Sequence, residues 1–460
     1  MMRYFGTDGI RGVANDELTP ELAMRVGRAA AHALVGRSEA ALPIIVGRDT
    51  RLSGPMLEAA LMAGIASVGR HAISVGVLPT PAIACIVRAT GAAAGAMISA
   101  SHNPIADNGL KFFGADGFKL SDALEAEIEA ALERDEFERP TGVGIGQITT
   151  AQNLGKHYYA MLEGLGADLR GIDVVVDAAY GAAYAVAPYA LRKAGATIHE
   201  LHCEHDGARI NVHCGATHLE PLREAVKALH ERGKRNVVGV AFDGDADRAL
   251  FIDERGATVT GDHVLYALAL AARAQHETRA DRVVGTVMSN IGLERALTAQ
   301  GIALDRAAVG DRYVLARMRE SGVFLGAEQS GHVIDLRSNT TGDGTMTAFA
   351  MLGQMARSQQ RLADLVAAVI EAPQVLQNVR VRSKASAQHE EVLQAIDRVE
   401  RSLAGRGRIL VRPSGTEPLV RVMVEGDDHD EILRAASEVS AAIAEAEKEI
   451  ERGRPTTHAG

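Results

Sequence analysis

A chain of 460 residues with a formal net charge of −10 is too acidic for a generic binder of nucleic-acid backbones. At 4% aromatic, with no tryptophan, it is also poor in the residues that stack on bases. Its 47% hydrophobic and 23% charged composition is that of an ordinary globular protein, with length for roughly three domains. No apolar run is long enough to span a bilayer, the first residues carry no signal-peptide core, and Cys85, Cys203 and Cys214 make no disulfide framework; a cytoplasmic protein is expected.

Strand-like and helix-like patterns then alternate along the chain. Leu42–Val46 reads as a strand, and Leu57, Leu61, Ile65 and Val68 recur at helical spacing. Ile73–Val77 and Ala93–Ile98 read as further strands. The unit returns as strand Asp173–Asp177, helix Ala182–Ala194, strand Thr197–Leu201, helix Leu222–Arg232 and strand Val237–Phe242. It returns again as strand Arg282–Val287, helices Leu293–Gln300 and Tyr313–Glu320, and strand Val323–Leu325. Such alternation predicts α/β layers with parallel or mixed sheets. After Glu371-Ala372-Pro373, strands Val375–Val381, Ile409–Val411 and Val420–Glu425 surround a helix at Glu390–Leu403, and a long helix follows. The expected division is 1–155, 156–257, 258–371 and 372–460: three similar α/β domains and a smaller sheet-and-helix domain.

Five loops carry candidate chemistry. Ser101 and His102 follow the strand ending at Ile98, in Ser99-Ala-Ser-His-Asn-Pro104. Strand ends are where α/β proteins place reactive groups, although taken alone this segment is also a good polar turn. Asp243-Gly-Asp-Ala-Asp-Arg248 sets three carboxylates at alternate positions after an apolar strand, a pattern that can converge on a hard cation. Arg248 stands where a calcium EF-hand needs glycine, which removes that reading. A solvated acidic turn and a phosphatase nucleophile at Asp243 stay open. Arg412-Pro-Ser-Gly-Thr-Glu-Pro418, with Arg421, offers an arginine fork, two hydroxyls and a glycine nest, the donors a phosphate dianion needs. Gly326-Ala-Glu-Gln-Ser-Gly-His332 groups Glu328, Ser330 and His332, a set suited to sugar hydroxyls. Gly6-Thr-Asp-Gly-Ile-Arg-Gly12 matches no standard phosphate loop, and Arg11 is its notable residue. The dense histidines and cysteines between His199 and His218 fit no zinc-finger spacing; whether they hold a metal is left open.

Together, in this order and spanning nearly the whole chain, the five loops resemble those of the α-D-phosphohexomutase superfamily. Asp107-Asn-Gly-Leu-Lys-Phe-Phe113 and Gln329 resemble its bacterial branch acting on glucosamine phosphates. The stretch Glu204–Asn211 follows the superfamily pattern only approximately. The resemblance implies four domains and interconversion of glucosamine 6-phosphate and glucosamine 1-phosphate through a bisphosphorylated sugar. It implies one Mg²⁺ per active site, held by Ser101, Asp243, Asp245 and Asp247, and a phosphoserine at Ser101. His102, Lys111, Arg11 and His332 would assist transfer, with Lys111 or His332 as general acid or base. Arg248, Glu328, Ser330, Arg412, Ser414, Gly415, Thr416 and Arg421 would bind substrate. The partner is then a small phosphosugar, with no nucleic acid or membrane; a homodimer is allowed. The neighbouring alternative is a phosphomannomutase/phosphoglucomutase. A phosphosugar-binding protein without catalysis would need neither Ser101 nor the aspartates.

Overall fold

The computed structural model describes residues 4–6, 8–35, 42–414 and 417–452. The chain forms two compact units, residues 1–288 with 302–368, and residues 289–301 with 369–460.

The first unit contains three mixed sheets. Edge to edge, the first runs Phe5–Gly6, Gly9–Val13, Asp107–Gly114, Ala94–Ile98, Ile44–Arg48, Ala72–Val77 and Ile148–Thr150. Ala94–Ile98 is buried along its whole length, as expected of a strand covered on both faces. Helices Pro20–Val35, Gly54–Ser67 and Asp122–Arg134 build the main core against this sheet, around Val26, Leu57, Leu61, Ile65 and Ile128. The second sheet is ordered Thr258–Val259, Ala249–Ile252, Val237–Phe242, Asp173–Asp177 and Thr197–Leu201. The third is ordered Ala303–Ala307, Arg282–Thr286, Leu325–Ala327 and Val333–Asp335.

In each sheet one strand runs parallel to a neighbour and then turns back as an antiparallel strand. Ala94–Ile98 returns as Asp107–Gly114, Val237–Phe242 as Ala249–Ile252, and Leu325–Ala327 as Val333–Asp335. The three turning segments are 99–106, 243–248 and 328–332. Three of the five chemistry-bearing loops therefore share one topological position, at the carboxyl end of a parallel strand, where α/β sheets bind ligands.

The second unit holds a three-stranded antiparallel sheet ordered Gln374–Arg380, Leu419–Gly426, Gly407–Pro413. Helices Glu390–Leu403 and His429–Arg452 cover it, with Val392, Val399, Val422, Val439 and Ile443 in the core. The observed architecture is thus three α/β sheets plus a smaller sheet-and-helix domain.

Some elements depart from the sequence pattern. The helix expected from Ala182 begins only at Val186. Residues 178–184 instead form a turn tied to the aspartate loop, where Ala182 N–H donates to the Gly244 carbonyl at 2.8 Å and Ala179 and Tyr180 take positive φ. Strand Ala303–Ala307 was not anticipated, because its Asp305 and Arg306 break the apolar run; it is the sheet edge, where polar side chains reach solvent. The strand expected at Val323–Leu325 is displaced to Leu325–Ala327.

Leu61 is fully buried in the first core. Leu61→Ala should therefore destabilise the folded chain by about 3 kcal/mol, read as a lower urea midpoint.

Candidate active site

The aspartate loop leaves a fully buried strand, so its carboxylates are committed to the interior before any partner is considered. Asp243 is 1% exposed, Asp245 0% and Asp247 4%, and one oxygen of each lies within 4.8 Å of the others. The turn is tight, with Ala246 at φ 57°. Gly244 faces the Ser101 carbonyl so closely that no Cβ would fit.

Ser101 stands at the same point from the first sheet. Its Oγ donates to Asp243 Oδ2 at 2.6 Å and lies 3.2 Å from His102 Nδ1. Its backbone is left-handed, at φ 54°, which is costly for a residue with a Cβ. Lys111 arrives on the returning strand, opposite Met97, with Nζ 2.8 Å from Asp245 Oδ2, 3.1 Å from Asp8 and 3.7 Å from Asp247. Thr80 opens the helix Thr80–Thr90 and donates from Oγ1 to Asp245 Oδ2 at 2.5 Å.

Burial and the repulsion of Asp247 and Asp245 push the Asp243 carboxyl well above its usual range. Burial also acts on Asp247, but His332 and Lys111 outweigh it and hold that carboxyl well below the usual range. Burial pulls the Lys111 ammonium down, yet Asp245, Asp8 and Asp247 more than compensate, so it stays charged well above neutral pH. His102 behaves oppositely. Burial, with Arg248 and Arg11 nearby, depresses its imidazole to about 4, so the ring is neutral at physiological pH.

The third loop completes the arrangement. An antiparallel bridge joins Arg248 to His332, and Ala249 N–H donates to the Gly331 carbonyl at 3.0 Å. His332 is 2% exposed, with Nδ1 3.6 Å from Asp247 and Nε2 3.8 Å from Asp311. The Gly310 N–H donates to Glu328 at 2.8 Å, fixing that carboxylate. A cavity of about 360 Å³ opens here, lined by Tyr4, Gly6, Asp8, Gly9, Arg11, His102, Asp247, Arg248, Val309, Gly310, Asp311, Glu328 and His332. Ser330 shares the Glu328 loop but does not line the cavity, and its buried hydroxyl has no hydrogen-bond partner among the described residues.

Several participants were not singled out from sequence. Asp8, inside the loop where only Arg11 drew notice, bridges Arg11 at 2.5 Å, Lys111 and Lys119. Lys119 also pairs with Asp311. Asp8 was within reach of sequence reasoning, as the acid of a glycine-flanked loop. Lys119, Asp311 and Thr80 carry no local signal, since each makes its hydrogen bond here to a partner more than 100 residues away.

The phosphate-type loop lies in the second unit. Arg412 and Arg421 stand directly opposite on neighbouring strands. Burial and Arg421 depress the Arg412 guanidinium, the strain expected of two cations placed for an anion. The Ser414 hydroxyl accepts from Glu417 N–H at 3.3 Å, and Arg421 pairs with Glu417 at 2.8 Å. Gly415 and Thr416 lie outside the described residues.

The histidine-rich segment disperses. His199 pairs with Asp173 at 2.9 Å, and His205 packs on Tyr184. His213 packs edge-on against His218, and His202 and Cys214 gather around Asp177, whose oxygens already accept N–H bonds from Ala179 and Gly215, both at 2.9 Å.

The aspartate cluster fits a divalent cation. Three carboxylates are a hard oxygen donor set, and the Oδ1 atoms of Asp245 and Asp247 are buried without a hydrogen bond among the described residues.

Four phosphoglucomutase/phosphomannomutase domain families match in order: alpha/beta/alpha domain I at residues 2–139, domain II at 160–256, domain III at 260–372 and the C-terminal domain at 376–442. A phosphoglucosamine mutase from Moorella thermoacetica is 50% identical over 436 residues, covering 94% of this chain and 97% of that protein. One from Rhodococcus jostii is 49% identical, covering 96% and 100%. The chain belongs to the phosphoglucosamine mutase family.

Among solved structures, a phosphoglucomutase/phosphomannomutase family protein from Burkholderia thailandensis superposes with a TM-score of 0.79 at 24% identity over 98% of both chains. Aspergillus fumigatus N-acetylphosphoglucosamine mutase, in complex with GlcNAc-6P and magnesium, gives 0.61 at 17% identity over 97% of this chain and 96% of that one. These share the fold. No helix among the described residues is long and apolar enough to cross a membrane.

Two outcomes are expected. Thr80→Val removes the hydroxyl that orients Asp245 and should weaken Mg²⁺ binding about tenfold, measured by calorimetry. In the unphosphorylated, metal-free protein, His102 should titrate near pH 4 by NMR of its ring nitrogens, not near the ordinary 6.5. Because its folded value is depressed, His102 costs stability as pH falls from the ordinary histidine range toward 4, and contributes no loss above that range.

Proposed function

We propose that this enzyme interconverts glucosamine 6-phosphate and glucosamine 1-phosphate in the cytoplasm, with phosphoserine at Ser101 as the phosphoryl carrier. The observation that carries the reading is the Ser101 hydroxyl 2.6 Å from Asp243, at the edge of a three-carboxylate cluster. A nucleophile placed against three carboxylates makes sense when a cation shares the site. Asp243, Asp245, Asp247 and an oxygen on Ser101 would hold one Mg²⁺, which supplies charge neutralisation and polarises phosphoryl oxygens.

The chain's own residues account for the rest. A sugar hydroxyl oxygen bonds to phosphorus as the bond from Ser101 Oγ breaks, leaving a bisphosphorylated sugar and a free serine. The sugar hydroxyl gives up a proton and the departing Ser101 Oγ takes one up. Lys111 and His332 are the two candidates for this acid–base exchange; the carboxylates around them favour the protonated form of each, so the proton to Ser101 can come from either, and His332 is better placed because it lines the cavity whereas Lys111 is held by three carboxylates. The bisphosphate turns over and returns its other phosphoryl group to Ser101. Arg11, Arg248 and neutral His102 flank the transferring group, and Glu328, which lines the cavity, binds ring hydroxyls. Arg412, Ser414, Gly415, Thr416 and Arg421 grip the phosphate that is not reacting, where the opposed arginines Arg412 and Arg421 match a dianion.

Ser101→Ala should abolish turnover while leaving Mg²⁺ binding measurable; an active variant would overturn the carrier role. Wild-type kcat/KM with Mg²⁺ should be higher on glucosamine 6-phosphate than on glucose 6-phosphate or mannose 6-phosphate. A preference for either neutral sugar would assign the enzyme to the phosphomannomutase/phosphoglucomutase reaction. Stoichiometric release of inorganic phosphate would instead mark a phosphatase acting through Asp243.

A further inference from the structure

Arg51 is the bulkiest fully buried side chain among the described residues, at 0% exposure, and it lies outside every loop considered above. A guanidinium has five N–H donors. Here all five are used. Nε donates to Asp49 Oδ2 at 3.0 Å. One terminal nitrogen donates to the carbonyls of Pro104 at 2.6 Å and Asp107 at 3.0 Å. The other donates to the carbonyls of Ser101 at 2.9 Å and Asn103 at 2.8 Å. Four carbonyls of one loop therefore converge on a single cation. Asp49 completes the clamp by accepting from Ser99 Oγ at 2.7 Å, and Ser99 Oγ accepts from Ser101 N–H at 2.8 Å. Asn211, from the second sheet's region, donates to the Ser101 and Asn103 carbonyls at 2.9 and 3.1 Å.

This clamp grips both peptide groups of Ser101, the residue whose left-handed backbone aims its hydroxyl at Asp243. Turning φ back to the usual negative region would swing Oγ away from the aspartates and the Ser101 carbonyl away from Arg51. We propose that Arg51 is a positioning residue for phosphoryl transfer, fixing the main chain of 101–107 so that Ser101 Oγ stays against the metal loop. The inference rests on the reading of Ser101 as carrier.

Lysine at this position keeps the charge but offers three donors, so at least two of the five acceptors lose their bond to residue 51. Arg51→Lys should lower kcat about 100-fold, the scale of a misplacement near 1 Å, with KM unchanged because the sugar-facing residues are untouched. Circular dichroism and thermal melting establish that the variant is folded. In Arg51→Ala, guanidinium ion should restore part of kcat, and ammonium should not. Asn211→Ala, at a half-buried position serving two of the same carbonyls, is the second variant should both arginine variants fail to fold; it should lower kcat less, again with KM unchanged.

A folded Arg51→Lys enzyme with wild-type kcat overturns the proposal. So does guanidinium that restores melting temperature without restoring kcat, or an Asn211→Ala loss that falls on KM alone. Ser101→Ala run in parallel separates the two claims. Turnover by that variant removes the carrier reading itself. An inactive Ser101→Ala beside a fully active Arg51→Lys removes only the positioning role.

Discussion

Concentrated negative charge is the constraint on which this molecule turns. Asp243, Asp245 and Asp247 lie buried within one tight loop, where desolvation and the neighbouring carboxylates push the Asp243 carboxyl well above its usual range. The fold answers by drawing cations from every sheet of the first unit. Lys111 comes from the first, Arg248 from the second and His332 from the third. Asp8, Lys119 and Asp311 extend the pattern into a closed ring of alternating sign: Lys111, Asp8, Lys119, Asp311, His332, Asp247 and back to Lys111. Each member is paired with two of opposite charge, the condition under which buried ions are tolerated.

That ring also explains why three separate sheets are needed. The aspartate loop supplies Arg248 as one counter-charge, while Lys111 and His332 reach the same carboxylates from the other two sheets. Repeating one topology, a parallel strand that turns back as an antiparallel neighbour, delivers three loops of different chemistry to adjacent places. Ser101, the three aspartates and Glu328 then each sit on a loop that leaves a sheet strand.

Local strain collects where these loops meet. Ser101 and Ala246 are both left-handed, and Ala179, Tyr180 and Asn211 join them in the segment packed behind. Such backbones persist when surrounding contacts over-determine them. Here the contacts are visible: five donors from Arg51, two from Asn211, and Gly244 allowing the Ser101 carbonyl to approach. Preorganisation of this kind is set by buried side chains remote in sequence from the loop they hold.

The sequence by itself determined the α/β class, the alternation of strands and helices, and the loops rich in serine, aspartate and arginine. These are local properties: apolar periodicity, glycine-permitted turns and carboxylates two residues apart declare themselves within a few positions. Strands Asp173–Asp177, Thr197–Leu201 and Val237–Phe242 were legible to the residue for this reason, and the helix near Glu390–Leu403 was legible in place. Edge strand Ala303–Ala307 was not, because its polar residues make sense only once one knows which side faces solvent. Tertiary structure alone decided that Thr80 orients Asp245, that Lys119 joins Asp8 to Asp311, and that Arg51 clamps the Ser101 loop. An arginine three residues beyond a strand looks like any surface cation. Its five acceptors exist only after the chain has brought residues 101–107 back to it, and pairings across such separations leave no period in the sequence to read.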